Sequence, residues 1–338
     1  MDKSKRLITL SLITSLVLML VKFVAYFLTS SNAVFTDAAE SIVNVAAGAF
    51  AFYSVHLSSR PRDKNHPYGH GKIEFFSVFI EGGLILIAGG LVLVKALYNL
   101  FFPEELEHVS EGMWLIAITA VVNFVVGGYI KTRGKTLHSL AVEADGKHLQ
   151  VDAYSTLIVV VGLLIIKYTG FVLLDVILSI ALGVFILVNG YGMLRKSIGG
   201  LMDESDEALV EKVIQVLNDN RKDPWIDVHN LRVLRYGSQL HIDCHLTLPW
   251  YYNLEQVHVE LLSIEKAMND QIEMSTELFV HADPCIPSSC AHCHVKNCQV
   301  RTAEFRETIE WTLENVTMNK KHIHPSIESD REIDEESK

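Results

Sequence analysis

The sequence predicts a polytopic α-helical membrane protein, with six transmembrane helices and both termini inside, followed by a cytoplasmic α+β domain. Three observations carry this. Mean hydropathy is +0.25 with only 20% charged residues in 338, which a soluble globular chain rarely shows. Six long apolar stretches all precede Gly199. The charge is also divided: residues 1–198 carry 16 Lys+Arg against 14 Asp+Glu, and residues 199–338 carry 13 against 26. With 20 Gly, 8 Pro and 5 Cys, the chain is neither collagenous, nor disordered, nor a disulfide scaffold. Its acidic half would repel a phosphate backbone, so nucleic acid is not an expected partner.

The six stretches fall at 7–28, 33–57, 75–101, 113–130, 149–168 and 171–194, each near or above the about 20 residues that cross the hydrocarbon layer. The first exceeds a signal-peptide core and no small-residue cleavage site follows it, so it is read as a retained span. Lys22 within it reads as a side chain that snorkels to the outer interface. Lys3, Lys5 and Arg6 precede span 1; Arg60, Arg62, Lys64 and Lys72 follow span 2; Lys131, Arg133 and Lys135 follow span 4; Arg195 and Lys196 follow span 6. The positive-inside rule therefore places both termini and the acidic half in the cytoplasm of a multi-pass cell-membrane protein.

Ionisable groups inside spans are costly and read as functional by default. Span 2 holds Asp37, Glu40 and Asn44, and the start of span 5 holds Asp145, His148 and Asp152. Offsets of three, four and seven place each trio on one helical face. Facing each other, Glu40, Asn44, His148 and Asp152 form a four-coordinate site for a divalent metal, with ligands that suit Zn²⁺ and accept Fe²⁺, Co²⁺ or Mn²⁺. The alternative is a polar lock between helices. Asp37 and Asp145, one turn earlier, read as proton carriers, outer partners of the ligands, or caps. Glu81 in span 3 and Asp175 in span 6 are lone acids and receive no role.

In the loop after span 2, Asp63, His66 and His70 have a metal-ligating spacing, against the alternative of solvated polar residues. Past Gly199, residues 204–220 read as a helix, 228–236 and 238–248 as a hairpin through Gly237, 254–268 as a second helix and 276–281 as a third strand. On these elements His229, His245, His258, His281 and Asp283 can converge on one side of a small sheet. Cys244 alternates with core residues and reads as a small hydrophobe.

Cys285, Cys290, Cys293 and Cys298 then place four thiols in 14 residues, with His292 and His294 between them. In the cytoplasm, metal binding outranks disulfides. A structural Zn²⁺ is the first reading and an iron–sulfur cluster the second, with free thiols in a flexible loop as the alternative. Residues 304–318 read as an amphipathic helix, and 321–338 as an acidic disordered tail whose His322 and His324 offer weak metal ligands. The domains are thus 1–198, 199–284, a Cys-rich segment and helix over 285–320, and the tail.

Three motifs carry a family resemblance: Thr36-Asp37-Ala38-Ala39-Glu40-(x3)-Asn44, Ala144-Asp145-(x2)-His148-(x3)-Asp152, and His66-Pro67-Tyr68-Gly69-His70-Gly71-Lys72-Ile73-Glu74. Over about residues 5–284 the chain resembles the cation diffusion facilitator family of divalent-metal transporters, of the bacterial type. The resemblance implies a secondary transporter and no enzyme: a proton-coupled efflux antiporter working as a homodimer by alternating access. It also implies a ferredoxin-like cytoplasmic domain used in dimer contact, in which the four histidines and Asp283 match a two-metal site with the Asp bridging. The sequence departs from the family at Glu40, where Asp or His is usual, and at Asn44, where zinc-transporting members usually carry Asp. Asn supplies a neutral oxygen, so the site carries one negative charge fewer. The alternative function is a membrane-anchored metal or redox sensor built on the cysteine cluster.

Overall fold

A computed structural model describes residues 3–29, 32–102, 109–169 and 173–322. The chain forms two compact units, Met1–Met202 and Asp203–Lys338. The first consists of α1 (Lys3–Thr29), α2 (Asn32–Ser58), α3 (Ile73–Phe101), α4 (Val109–Thr136), α5 (Leu140–Thr169) and α6 (Leu173–Leu201). Among the described residues, four segments are long and apolar enough to cross a membrane: Lys3–Val24, Ser41–Ser58, Ile73–Phe101 and Trp114–Thr136.

This unit carries large apolar side chains on its outside and small polar ones within, as a water-soluble bundle does not. On α1, Ser4, Ser11 and Ser15 are buried beside Leu7, Ile8 and Leu18, whereas Ile13, Leu16, Val17 and Leu20 are exposed. Facing lipid, the large side chains lose nothing, and the small inward ones let helices approach. Lys22 is buried, at 4% exposure, and engages a neighbouring group. The helices pack chiefly as α3 on α6, α4 on α5 and α1 on α2. The α4–α5 approach is tight enough to require glycine. A Cβ on Gly146 would lie 2.3 Å from the Lys131 nitrogen, and one on Gly134 would lie 2.6 Å from that of Glu143.

Near the start of α3, the buried Glu74 carboxylate ties three helices together. It accepts from Ser58 Oγ at 2.9 Å, Ser139 Oγ at 2.9 Å and the Ala141 amide at 3.3 Å. A buried charge is tolerated only when hydrogen-bonded in this way, and the bonds fix where α5 begins.

The second unit follows the predicted order: α7 (Glu207–Asp219), β1 (Asp227–Tyr236), β2 (Gln239–Leu248), α8 (Leu254–Gln271) and β3 (Ser275–Pro284). The Asp206 side chain caps α7 by accepting from the Leu209 amide. β1 and β2 are antiparallel, and Gly237 between them takes a φ of 62°. β2 and β3 are parallel, so the connection must cross over, and α8 supplies it. Leu240, Ile242, Cys244, Leu246 and Leu248 line the core against Val213, Leu217, Ile264 and Met268. Burial pushes the Cys244 thiol up to about 12.

The amphipathic helix expected over 304–318 is reduced to α9 (Leu313–Val316). Preceding it, residues 304–312 form a strap without regular secondary structure. Arg221 Nη1 donates to the Ile309 carbonyl at 2.6 Å and Asn218 Nδ2 to that of Trp311 at 2.9 Å. The Trp311 ring is buried with the Arg221 guanidinium 4.0 Å from its centroid. Capturing these carbonyls and burying the indole outweighs a helix rich in Thr308, Ile309 and Thr312, all stiff at χ1.

Candidate functional site

Within the membrane unit, α2, α3 and α5 bring Asn44, Glu81, His148 and Asp152 around one pocket of about 20 Å³, walled by Val43, Ala47, Ile85 and Ile186. That is room for about one water-sized occupant. His148 Nε2 lies 3.0 Å from Asn44 Oδ1 and 3.6 Å from Asp152 Oδ2, and Asn44 Nδ2 donates to Asp152 Oδ2. Across the pocket, Glu81 Oε1 stands 4.0 Å from His148 Nδ1. Neither Glu81 oxygen accepts a hydrogen bond among the described residues. Asp145 is buried one turn before His148, beside Gly48, where a Cβ would meet its Oδ1 at 3.9 Å. The side chains of Asp37, Glu40 and Asp175 lie outside the described residues.

The geometry adds Glu81 to the residues singled out by spacing. Its signal in the sequence is an unpaired acid in an apolar span, the feature that marks function in a membrane.

In the loop after α2, Asp63 Oδ1 lies 3.1 Å from His66 Nδ1, and Asp63 Oδ2 lies 3.4 Å from His70 Nε2. The Asp63 carboxylate also accepts from the Asn65 and His66 amides at 2.9 and 2.7 Å. The His66 amide bond leads the effects that hold it below its ordinary value. The turn that returns His70 passes through Gly69 at a φ of 89°, where a side chain would be strained.

In the cytoplasmic unit the strand register assembles the second group. His229 is paired with His245, and His245 with His281, so three imidazoles stand side by side across the sheet. Asp283 sits at the centre: its Oδ2 is 3.3 Å from His229 Nε2 and 3.1 Å from His245 Nδ1, and its Oδ1 is 3.7 Å from His281 Nε2. His258 stands exposed on α8, outside this group. Donor atoms of Asp63, His66 and His70, and of His229, His245 and Asp283, lie within 4.8 Å of one another, close enough for one ion each.

Behind His229 stands Asp227, a residue that spacing along the chain does not single out. Its Oδ2 is 3.2 Å from His229 Nδ1 and accepts from the His322 amide at 3.1 Å, while its Oδ1 meets His322 Nδ1. Burial would raise this carboxyl, but the hydrogen bonds from His229 and His322 outweigh it and hold it well below the usual carboxylate range. A carboxylate on the far nitrogen of a ligating imidazole fixes ring and tautomer. Lys321 also reaches this site, 3.9 Å from Asp283 Oδ1. Thus 321–322, expected in the disordered tail, are docked; the rest of that tail, with His324, lies outside the described residues.

Cys285, Cys290, Cys293 and Cys298 line a different cavity in the cytoplasmic unit. His294 instead meets Thr308 Oγ1 at 3.2 Å, and neither it nor His292 lines that cavity.

Carboxylate, amide and imidazole groups buried together in a helical unit with membrane-spanning segments could hold a cation where hydrocarbon would otherwise exclude it, as a membrane transporter of cations requires. Comparison with known proteins makes this specific. The chain belongs to the cation efflux family: the cation efflux transmembrane domain matches residues 8–202, and the cytoplasmic domain of cation efflux proteins matches 205–285. It is 32% identical over 275 residues to an uncharacterized transporter of Synechocystis, covering 81% of this chain and 88% of that protein. The cation-efflux pump FieF of Serratia proteamaculans is 26% identical, covering 80% of this chain and 89% of the pump. That of Pectobacterium atrosepticum is also 26% identical, covering 82% and 93%. The protein is therefore a multi-pass cation efflux transporter with a cytoplasmic domain of the dimer-forming type.

Proposed function

We propose that this protein exports a first-row divalent cation, Zn²⁺ foremost and Fe²⁺, Co²⁺ or Mn²⁺ as further cargoes, from the cytoplasm across the cell membrane in exchange for protons. It does so as a homodimer of six-span protomers with both termini inside, by alternating access. The observation that carries the reading is the convergence of Asn44, His148 and Asp152 with Glu81 on one buried pocket. Asn44 offers a neutral oxygen, and Glu81 makes good the missing negative charge from the opposite wall. Imidazole favours Zn²⁺ over Mn²⁺.

Coupling follows from the same groups. A cation binds neutral His148 and ionised Asp152, so binding and protonation compete. Protons arriving from outside compete for the same atoms, displace the cation and reset the carrier. Glu40 joins as a fourth ligand, with Asp37 and Asp145 beside the pathway. The cytoplasmic group of His229, His245, His281 and Asp283 binds the same cations and shifts the dimer towards its transporting form. Asp63, His66 and His70 bind a further ion.

Purified protein in proteoliposomes tests this with each of the four metals under an imposed pH gradient. Cation movement that collapses the gradient supports the reading. Absence of flux for all four, or flux that survives replacement of both His148 and Asp152 by Ala, would overturn it.

A further inference from the structure

Both family matches end at or before Cys285, leaving Cys290, Cys293 and Cys298 outside them. These residues nevertheless occupy an ordered part of the cytoplasmic unit. Cys285 directly follows β3, its amide bonded to the Leu248 carbonyl at 2.8 Å. Cys290 lies in a 3₁₀ turn, Pro287–His292. The loop that carries Cys293 and Cys298 is gathered by one side chain: the Arg301 guanidinium donates to the carbonyls of Cys290, Cys293 and Val295 at 2.8, 2.9 and 2.8 Å. All four cysteines line a single cavity of about 250 Å³, whose wall includes Ile226, Trp250, Ile286, Val295 and Val300 along with the polar Ser289, Arg301 and Thr302.

Two features decide what this cavity takes. A single tetrahedral ion, with metal–sulfur bonds of about 2.3 Å, holds its sulfurs about 3.8 Å apart. Among the described residues, the groups of three donors within 4.8 Å of one another include none of these cysteines. No three of the thiols are drawn together on one point, and all four border the same cavity. That space is more than about ten times what one water-sized occupant needs. Four thiolates at the periphery of such a cavity match a polynuclear centre, which keeps its sulfur ligands further apart than one ion does.

We propose that Cys285, Cys290, Cys293 and Cys298 hold a four-iron, four-sulfide cluster, one thiolate on each iron, apart from the transported cation. Each thiol loses its proton to solvent as its sulfur–iron bond forms. Arg301 offsets the negative charge of the assembly and fixes the loop spacing. The Thr302 hydroxyl, 3.5 Å from Cys290 Sγ, donates to one of the ligating sulfurs. Histidine takes no part, since neither His292 nor His294 lines the cavity.

The test uses the full chain, purified without oxygen in detergent from iron-replete cells, with iron, zinc, acid-labile sulfide and visible absorbance measured together. The expected result is a brown protein with about four irons and four sulfides per chain, bleached by dithionite. Replacing both Cys290 and Cys293 by Ser should abolish the colour and the sulfide. Replacing His229 by Ala should leave both intact, separating this centre from the neighbouring His/Asp group. If the cysteine variant fails to fold, iron–cysteine stretching modes in the resonance Raman spectrum of the unaltered protein report the ligation directly. A colourless protein with about one zinc held by these cysteines, or metal-free thiols that all alkylate, would overturn the proposal.

Discussion

The membrane pocket and the cytoplasmic His/Asp group use the same donor chemistry on opposite kinds of scaffold. In the membrane, Asn44, Glu81, His148 and Asp152 come from three separate helices and meet at about 20 Å³. In the cytoplasm, His229, His245 and His281 occupy one register line of a hydrogen-bonded sheet and share a single carboxylate. Helices that slide or tilt can open such a pocket to either side without breaking a backbone bond; a sheet cannot part its strands so freely. The first scaffold fits the proposed passage of a cation, and the second fits its retention.

The largest effect should come from the membrane pocket. Replacing both His148 and Asp152 by Ala should lower proteoliposome flux by more than about 100-fold, a loss beyond that from removing an outer partner of a metal ligand. Replacing Asp283 by Asn should instead weaken cation binding to the cytoplasmic unit by about 10–100-fold in calorimetry. Flux at saturating cation should then change much less. Equal losses of flux from the two changes would break the distinction between passage and retention.

Next in size is Glu81→Gln, which preserves shape and removes charge. If Glu81 supplies the charge that Asn44 lacks, flux at limiting cation should fall about tenfold, with a smaller change at saturation, a typical loss for a group acting beside the ligands. An unchanged apparent affinity would reduce Glu81 to a structural acid.

The same comparison explains how much is legible in the sequence. Helical ligands announce themselves by local spacing, so the trios ending in Asn44 and Asp152 stand out from residue order alone. Glu81 does not, because one acid in a span has no partner at i+3 or i+4, and its meeting with His148 depends on helix packing. On the sheet, the candidate histidines can be named from the sequence but their grouping cannot. Register sets His229 against His245 and His245 against His281 across gaps of 16 and 36 positions. The strap before α9 misleads for the opposite reason. Phe305, Ile309, Leu313 and Val316 recur with helical period, yet the core selects Trp311 and the side chains of α7 and its C-terminal turn bind the chain as a strap. The element order and the hairpin at Gly237 are readable because turn chemistry and alternation are local, whereas the parallel pairing of β2 with β3 joins strands 36 positions apart and emerges only in the fold.

The smallest effect concerns the other face of the strand that carries His245. Successive side chains on β2 point to opposite faces, so Cys244 enters the core while its neighbour reaches Asp283. A folded thiol raised from 9.0 to about 12 by burial stays protonated where an unfolded one ionises. Its contribution is therefore complete below pH 9.0 and is lost as pH rises towards 12, with a slope of at most about 1.4 kcal/mol per pH unit. Near neutrality, Cys244 should resist alkylation until the cytoplasmic unit unfolds, and Cys244→Ala should flatten the alkaline loss of stability measured by denaturant titration. If Cys244 alkylates at the rate of an exposed thiol while the unit stays folded, β2 opens as readily as a helix moves. The contrast between a yielding membrane pocket and a rigid cytoplasmic sheet would then fail at its rigid end.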